Sequence, residues 1–359
     1  MQGQSRKAMV ALLFGLLAAL LILSGRTLGA FQRALPQREK ALRYPYQQLT
    51  LREQKLYAAL CEGIAERKEI VKLPGVYHGD EYRRVYLLVA EQEPQFFYLD
   101  TVYETGDLMS DAEMFYRADA ADADTMTAEM EFAADRILAD TLGASDDISK
   151  LLAIHDGIAA NCMYEDDAFA SEAYGCLVRG KAKCEGYAKA FLYVARRAGL
   201  HVMNVTGTDS RGENHVWNIA EADGQFYQID VTWDDDQRYE GKTVHACFCQ
   251  PDQRFADHVP DLTAYQPPEC KAADDAYDYY ILHDHYIENA FDLPGKIMAW
   301  TGSPLMMEFR FADEDTMAEA KALIKETTAV GDAVRIASGA AVYQALADEA
   351  RNVLVILPS

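Results

Sequence analysis

The sequence predicts an α+β fold in which a helix that begins at a cysteine packs on an antiparallel sheet, with a smaller α/β region on either side. An apolar run at helical spacing, residues 187–195, follows Cys184 and ends before Gly199. Two strand-like segments, 216–220 and 225–231, flank Asp223-Gly224, a favoured two-residue hairpin turn.

Composition indicates a globular and acidic protein. Half of the 359 residues are hydrophobic, which suffices for two or three packed domains. There are 34 basic and 57 acidic residues, giving a formal charge of -23, and no stripe of lysine or arginine offsets it. We therefore expect no nucleic-acid partner.

The N-terminus carries an unbroken apolar run over residues 8–23, preceded by Arg6 and Lys7. Its length fits a short membrane helix or a long signal-peptide core. Because no clean A-x-A cleavage site follows, we interpret 1–35 as a membrane anchor or signal with its tether, and favour an uncleaved anchor. The remaining chain is then an extracytoplasmic domain at the cell membrane, or a secreted protein if the segment is cleaved.

Residues 36–145 are predicted to form an N-terminal α/β extension. Thr50 and Glu53 fit a capping box, and apolar residues recur at helical spacing after them as far as about residue 66. The further elements expected here are strands at 69–72, 96–99 and 114–118 and helices at 82–90 and 125–141.

The core is predicted over 146–290 and a small α/β appendage over 291–359. Asp146 is placed to cap an amphipathic helix that runs to Cys162. In the appendage the expected elements are an alternating strand at 307–311, a helix at 315–326 and strands at 333–337 and 352–357. No chemistry is assigned to it, because it has no phosphate-binding loop and no cluster of titratable groups.

Cys184 lies at or near a helix N-terminus. There the helix dipole and unpaired N–H groups favour a thiolate, and Lys181 or Lys183 adds positive charge. The same N–H groups suit an oxyanion. A buried structural cysteine is the alternative.

The hairpin turn relates a histidine to an aspartate. Paired residues across Asp223-Gly224 sum to 447, so His215 and Asp230 share a face as diagonal neighbours, with Cβ atoms roughly 6 to 8 Å apart. A thiol nucleophile needs a base, and that base needs a third group to orient it. Trp217 shares the face and is predicted either to shield this pair and bind substrate or simply to pack.

The other chemically suggestive residues are interpreted as structural. The acidic cluster near 119–124 lacks the glycine and terminal glutamate of a calcium loop, and the odd number of cysteines fixes no disulfide pairing. No metal ion and no cofactor are expected. The residues interpreted in this way are Asp234, Asp235 and Asp236 as a solvated loop, His155 and His258 as structural histidines, and Cys247 and Cys249 as core residues.

Three segments, 180–187, 215–218 and 227–233, together resemble the transglutaminase-like superfamily, in particular its bacterial core domains. The resemblance covers about 146–286 and implies a papain-like fold with a Cys-His-Asp triad. It further implies that Cys184 is the nucleophile, His215 the general base and acid, and Asp230 the orienting carboxylate. Neither Tyr164 nor Tyr174 is assigned as a second oxyanion donor.

The resulting hypothesis is an exported, membrane-tethered cysteine enzyme. It would perform acyl transfer or hydrolysis on peptide or isopeptide amides through a Cys184 thioester. Its partners would be a peptide or protein substrate, cell-wall associated or not, and the membrane. The alternatives are a catalytically silent domain that binds cell-wall or surface proteins and, third, a disulfide-stapled adhesion protein.

Overall fold

The computed structural model describes residues 35–100, 102–271, 277–300 and 304–359. The predicted membrane anchor or signal at 1–35 lies, except for its last residue, outside this range. Within the described residues, no helix combines the length and the apolar character needed to cross a membrane. The helices in chain order are α1 Gln37–Ala41, α2 Tyr44–Gln47, α3 Leu51–Ala65, α4 Gly79–Gln92, α5 Ala120–Asp140, α6 Asp147–Asn161, α7 Cys184–Arg197, α8 Val231–Asp234, α9 Tyr279–Leu282, α10 Leu293–Ala299, α11 Glu314–Glu326 and α12 Ala329–Ser338.

The strands form small, mostly antiparallel sheets. They are β1 Ile70–His78, β2 Leu108–Glu113, β3 Met163–Tyr164, β4 Lys181–Ala182, β5 Val202–Thr208, β6 Asn214–Ala222, β7 Gln225–Ile229, β8 Val259–Pro260, β9 Tyr286–Ile287, β10 Met307–Phe311, β11 Tyr343–Asp348 and β12 Val353–Pro358. The two largest sheets have four strands each, in the orders β7-β6-β5-β8 and β11-β12-β10-β9.

In the N-terminal region the helices are as predicted, but two of the three expected strands, at 96–99 and 114–118, are not. Thr50 caps α3 in a complete capping box with Glu53. The expected strand at 96–99 is instead a 3₁₀ turn, Pro94–Phe96, followed by buried residues. The four consecutive side chains at 96–99 are all buried, and Phe97 stacks on Tyr174, so the segment cannot present alternate faces to core and solvent. The second strand of this region is β2, just before the predicted 114–118.

The core sheet confirms the predicted hairpin register. Asn218 pairs with Ile229, and Asp223 and Gly224 both have positive φ, 49° and 75°, as a tight hairpin turn requires. The strand ends at Ile229, two residues earlier than predicted, because the Asp230 side chain accepts hydrogen bonds from the backbone of Thr232 and Trp233 and starts α8.

Helix α7 packs on β5 and β6 of this sheet. The buried Asn218 amide fixes the contact by donating to the carbonyl oxygen of Ala188 at 3.1 Å and to the side-chain oxygen of Asn204 at 2.8 Å. Near the start of α7, a Cβ at Gly186 would lie 2.3 Å from the carbonyl oxygen of Ala170. Glycine at that position therefore allows the helix N-terminus to approach the neighbouring backbone closely.

The C-terminal region departs most from prediction. Helices α11 and α12 pack on its sheet, and α12 replaces the strand expected at 333–337. Val330, Ala333 and Val334 are buried at helical spacing, and Gly339, in the left-handed region, ends the helix. Strand β10 is buried along its whole length, because the polar residues Glu308 and Arg310 face the core region rather than solvent.

Candidate functional site

Cys184 is the first residue of α7, as predicted. Its N-cap residue, Lys183, makes no side-chain cap hydrogen bond. The first backbone hydrogen bond of the helix is donated by the N–H of Tyr187 to the carbonyl oxygen of Lys183. The N–H groups before Tyr187 therefore have no acceptor within the helix. Lys181 pairs with Glu165 at 2.8 Å, and the Lys183 ammonium lies 5.4 Å from the Tyr164 ring centroid.

His215 links Cys184 to Asp230. Its Nε2 lies 2.7 Å from Asp230 Oδ2, and Cys184 is close enough to contribute to the raised pKa of its ring. Burial lowers the pKa of His215, but the charge and hydrogen bond of Asp230, together with Cys184, outweigh it and raise the pKa to about 10. The ring therefore favours the imidazolium form, which stabilises a thiolate.

Asp230 is buried, and its two oxygens accept four hydrogen bonds. Oδ1 accepts from the backbone N–H groups of Thr232 and Trp233, at 3.0 and 3.3 Å. Oδ2 accepts from His215 and, at 3.1 Å, from Nε2 of His258. Burial raises the pKa of Asp230, but the two histidines hold it far below its usual range. The carboxylate stays ionised and fixes the orientation of His215.

His258 is part of this centre, contrary to the structural role expected for it. Its Nδ1 lies 2.8 Å from Asp257, and Asp257 in turn forms two hydrogen bonds with Arg351, at 2.9 and 3.1 Å. The Trp233 ring packs on His258 with centroids 4.4 Å apart. A buried chain of charged groups thus runs from the C-terminal region to Asp230. Nothing in the spacing around His258, in a loop, indicates this contact.

Trp217 packs beside the predicted triad and is not in the open clefts. Its ring stacks on His215 with centroids 6.0 Å apart, and its indole N–H donates to Gln228 at 2.7 Å. The side chain is only 1% exposed. It therefore supports the histidine from the core side, and the predicted substrate contact is wrong for this conformation because the ring has no free surface.

His215 borders two clefts with acidic walls. The first, of about 310 Å³, also contains Tyr164, Asp209, Asp235 and Asp236 among its lining residues. The second, of about 490 Å³, contains Glu91, Glu185 and Asp261. Burial raises the pKa of Glu91 to about 7, with the charge of Glu185 adding to the shift, and its Oε2 has no hydrogen-bond partner. These walls suit a cationic ligand.

The two tyrosines considered as oxyanion donors occupy different environments. Tyr164 lines the first cleft, and after burial the nearby Cys184 is the largest cause of its raised pKa. Tyr174 is buried and donates to Glu129 at 2.6 Å. Of the two, only Tyr164 is placed to meet a ligand bound near Cys184.

A second histidine cluster lies around α6. His155 contacts Asp156 and Asp234, and His245 contacts Asp156 and Glu308. The expectation that Asp234 belongs to a solvated loop is wrong, because its side chain is fully buried and also accepts from the Cys247 backbone N–H. Cys247 and Cys249 are buried, as expected. Two triplets in the described part of the chain have the geometry to hold a metal ion, His155/Asp156/His245 and His215/Asp230/His258.

The cysteines of the protein are all free thiols, including Cys184. This arrangement does not support the interpretation as a disulfide-stapled adhesion protein. Apart from Cys61 and Cys184, the cysteines are buried.

Sequence comparison finds a known family in the part of the chain that carries Cys184, His215 and Asp230. Residues 135–231 match the family described as the transglutaminase-like superfamily. No curated protein matches the sequence significantly.

Comparison with solved structures finds distant resemblances. A crystal structure of a TGase is 15% identical, with a TM-score of 0.29, and the match covers 44% of this chain and 48% of that one. A putative cysteine protease from Cytophaga hutchinsonii is 16% identical, with a TM-score of 0.28, over 36% of this chain and 41% of that one. The chain thus spans about half or less of the length of these two proteins. A crystal structure of menin, which reveals its binding site for the Mixed Lineage Leukemia protein, is 14% identical, with a TM-score of 0.28. That match covers 78% of this chain and 65% of the menin chain.

Proposed function

We propose that this chain, whose residues 135–231 are a transglutaminase-like core, is a cysteine enzyme that transfers or hydrolyses acyl groups of peptide or isopeptide amides. The observation that carries the proposal is His215, which borders two clefts, forms a hydrogen bond with the buried Asp230 and interacts with Cys184 at the start of α7. Nucleophile, base and orienting carboxylate are within direct reach of one another.

The chemistry follows from the protonation states. His215 takes the thiol proton, and the thiolate sulfur attacks the amide carbonyl carbon. When the C–N bond breaks, His215 returns the proton to the leaving amine, which leaves an acyl thioester on Cys184. Water or a second amine then attacks the thioester while His215 accepts its proton, and that proton goes back to the thiolate. The first-turn N–H groups of α7 are suited to the oxyanion of both steps.

The walls of the clefts support a preference for positively charged substrates. Glu91, Glu185 and Asp261 border the second cleft, and Asp235 and Asp236 border the first. Arg211, in the first cleft, is neutralised by Asp209 and Glu213, at 2.8 and 3.0 Å. An amide in a lysine-rich segment, or a lysine amine as the acceptor, fits this charge distribution.

Action outside the cell, tethered to the membrane and on cell-wall or surface proteins, is part of the same proposal. Its support is the apolar run at 8–23 with its basic flank, a feature of the sequence alone. Protease protection of the chain in intact cells, compared with lysed cells, tests the location.

The decisive experiment measures the alkylation rate of Cys184 by iodoacetamide against pH, with the labelled residue identified by mass spectrometry. We expect fast labelling near neutral pH in the wild type and at least about 10-fold slower labelling in His215→Ala, because the imidazolium no longer stabilises the thiolate. His201→Ala is the matched control, because His201 is also a histidine paired with a carboxylate, Glu221, but lies outside the site.

Turnover of peptide amides completes the test. Cys184→Ala should abolish turnover, and a lysine-rich peptide should give a thioester adduct at Cys184 in the wild type. Slow labelling that is insensitive to His215→Ala, with peptide binding retained in Cys184→Ala, would favour the catalytically silent binding domain instead.

A further inference from the structure

The second histidine cluster brings three potential metal ligands together at one point. His155 and Asp156 lie in the middle of α6, and His245 lies in the segment after α8. Asp156 Oδ1 is 2.9 Å from His155 Nδ1 and 3.0 Å from His245 Nε2. The three ligand atoms lie within 4.8 Å of one another. Two imidazole nitrogens and one carboxylate oxygen therefore converge on one small volume.

In each histidine, the ring nitrogen that faces away from Asp156 contacts a buried carboxylate. Asp234 Oδ2 lies 3.1 Å from His155 Nε2, and Glu308 Oε1 lies 2.6 Å from His245 Nδ1. Glu308 also accepts from the Tyr280 hydroxyl at 2.7 Å and from the His245 backbone N–H at 3.0 Å. Carboxylates that fix the outer nitrogen of a histidine are the usual outer partners of metal-binding histidines.

One ring nitrogen of each histidine faces Asp156. His155 Nδ1 and His245 Nε2 lie 2.9 and 3.0 Å from Asp156 Oδ1, whereas the outer ring nitrogens face Asp234 and Glu308. A histidine whose outer nitrogen donates to a carboxylate presents the lone pair of its inner nitrogen to a metal ion. Metal binding there must displace any proton that the inner nitrogens carry.

We propose that His155 Nδ1, His245 Nε2 and the Asp156 carboxylate bind one divalent transition-metal ion, for which Zn²⁺ is the best chemical match. Imidazole suits borderline ions such as zinc better than magnesium or calcium, which prefer oxygen ligands alone. Ligands at about 2.0–2.1 Å in a tetrahedron are separated by roughly 3.3 Å, so the contacts at Asp156 need to lengthen by only a few tenths of an ångström. Binding exchanges the ion for the two inner protons, which go to solvent.

The surroundings give the ion a route in. The Asp156 side chain is 49% exposed, whereas both histidines are buried. Tyr279 stacks on His245 with ring centroids 3.7 Å apart, and Phe248 packs edge-on against His155. Three protein ligands, one of them half-exposed, resemble the ligand number of an open zinc site rather than that of a closed structural one.

The other triplet of suitable geometry is a poorer metal site. All three of its members, His215, Asp230 and His258, are buried, and both oxygens of Asp230 already accept two hydrogen bonds each. Its outer partner at His258, Asp257, is neutralised by Arg351. The ion is therefore assigned to the cluster around Asp156.

The test is titration of the chelator-treated full chain with ZnCl₂ by isothermal calorimetry, in two buffers of different ionisation enthalpy. All proteins carry Cys184→Ala, so that the catalytic thiol contributes no binding. We expect one ion per chain with about two protons released, and affinity at least about 10-fold lower in Asp156→Asn and in His245→Ala. His201→Ala, which removes a histidine paired with Glu221 elsewhere, should bind as the parent does.

Two further measurements distinguish loss of metal binding from loss of folding and identify the ligand type. Circular dichroism verifies folding, and Asp156→Asn is the critical variant because it preserves the shape of a half-exposed side chain. Cobalt(II) in place of zinc should give visible d–d absorption without a thiolate charge-transfer band. The proposal is overturned if the parent binds no ion, if Asp156→Asn binds as tightly as the parent, or if Mg²⁺ competes equally. None of these readouts depends on enzymatic activity, so the result does not decide whether the proposed function is correct.

Discussion

Asp230 does two things with one carboxylate. One oxygen starts α8 and the other holds His215 and His258. Because all four hydrogen bonds go to the ionised form, the group stays charged although it is buried. The orientation of His215 is thus tied to the local backbone, and loss of any one hydrogen-bond donor to Asp230 should affect both.

The first prediction concerns His258. In His258→Ala, Asp230 keeps only His215 on Oδ2, and we expect kcat/KM to fall about 10-fold, equivalent to about 1.4 kcal/mol, the scale of one hydrogen bond to a charged group. The pH profile of Cys184 alkylation should move as well, which a purely structural role would not require. His283→Ala, at an exposed histidine, is the control. An unchanged profile in His258→Ala would contradict this role.

The second prediction concerns Glu91, whose pKa is raised to about 7 mainly by burial. The carboxyl is charged above pH 7 and neutral below it, so KM for a lysine-containing peptide should rise as the pH falls from 8 to 6. Glu91→Gln should remove this dependence, with KM roughly as high at pH 8 as the wild type shows at pH 6. The measurement is KM against pH, and Glu165→Gln serves as the control because Glu165 pairs with Lys181 on the surface.

The positions of Cys184, His215 and Asp230 relative to helix and hairpin were predictable from local sequence, whereas the residues that support them were not. Cys184 precedes an apolar helical run, and the turn at Asp223-Gly224 fixes the register that relates His215 to Asp230. His258 and Arg351 reach the site from distant segments through tertiary contacts. A single sequence has no periodicity or spacing that reports such contacts.

At the scale of elements, two contacts fix the position of α7: a close approach between backbones at its start and a hydrogen bond from a buried side-chain amide. Gly186 brings the start of the helix against Ala170, and Asn218 joins Ala188 in its first turns to the sheet. Both residues belong to the segments that resemble the transglutaminase-like superfamily. Their function in this structure is to hold Cys184 at a fixed distance from His215.

The third prediction compares two helical glycines. Gly186→Ala places a Cβ 2.3 Å from a backbone oxygen, so α7 must shift, and we expect the free energy of unfolding to fall by about 1–3 kcal/mol, with slower Cys184 alkylation. Gly295→Ala in α10 meets no atom within 4 Å and should be neutral or stabilising by up to about 1 kcal/mol. Urea unfolding measures both. Equal effects of the two changes would rule out close packing as the reason for Gly186.

Amphipathic helices were predicted reliably, and short apolar runs were not. The capping box at Thr50 and the cap at Asp146 mark helices that exist as expected. The segments at 96–99 and 333–337 were read as strands, but the first is buried on all sides and the second, which contains the exposed Arg335, belongs to α12. A short segment of mainly apolar residues fits a strand and a helix segment equally well.

At the scale of the whole molecule, the C-terminal region is connected to the site at Asp230. Strand β12 contributes Val353 and Val355 to the main core, and Arg351, just before it, pairs with Asp257. The Arg351 guanidinium also lies 5.1 Å from the Trp233 ring centroid. The region to which no chemistry was assigned therefore supports, through this arginine, the histidine that contacts Asp230.

The fourth prediction tests this long connection. Arg351→Gln removes the buried guanidinium that pairs with the partly exposed Asp257, and we expect about 1–3 kcal/mol less stability and a lower kcat, with KM little changed. Arg335→Gln, at an exposed arginine paired with Asp332 in the same region, should change neither. Urea unfolding and steady-state kinetics give the two readouts. An unchanged kcat in Arg351→Gln would show that Arg351 in the C-terminal region does not influence the site at His215.

The fifth prediction concerns stability against pH. The pKa of His215 is about 10 in the folded protein and about 6.5 when unfolded, because Asp230 binds the imidazolium. Its contribution is therefore fully present below pH 6.5 and is lost progressively as the pH rises to about 10. The difference in unfolding free energy between the wild type and His215→Gln should shrink over that range. A difference that grows with pH would show that His215 is neutral in the folded protein.

The chain of contacts from Arg351 has a consequence for how the protein can be divided. A fragment cut at the edges of the family match, residues 135–231, would contain Cys184, His215 and Asp230. It would lack His258, Asp257 and Arg351, so Asp230 would lose one of its two histidine partners. We therefore expect that a fragment that keeps these contacts must extend to Arg351, just before the last strand and well past the segment that matches the family model.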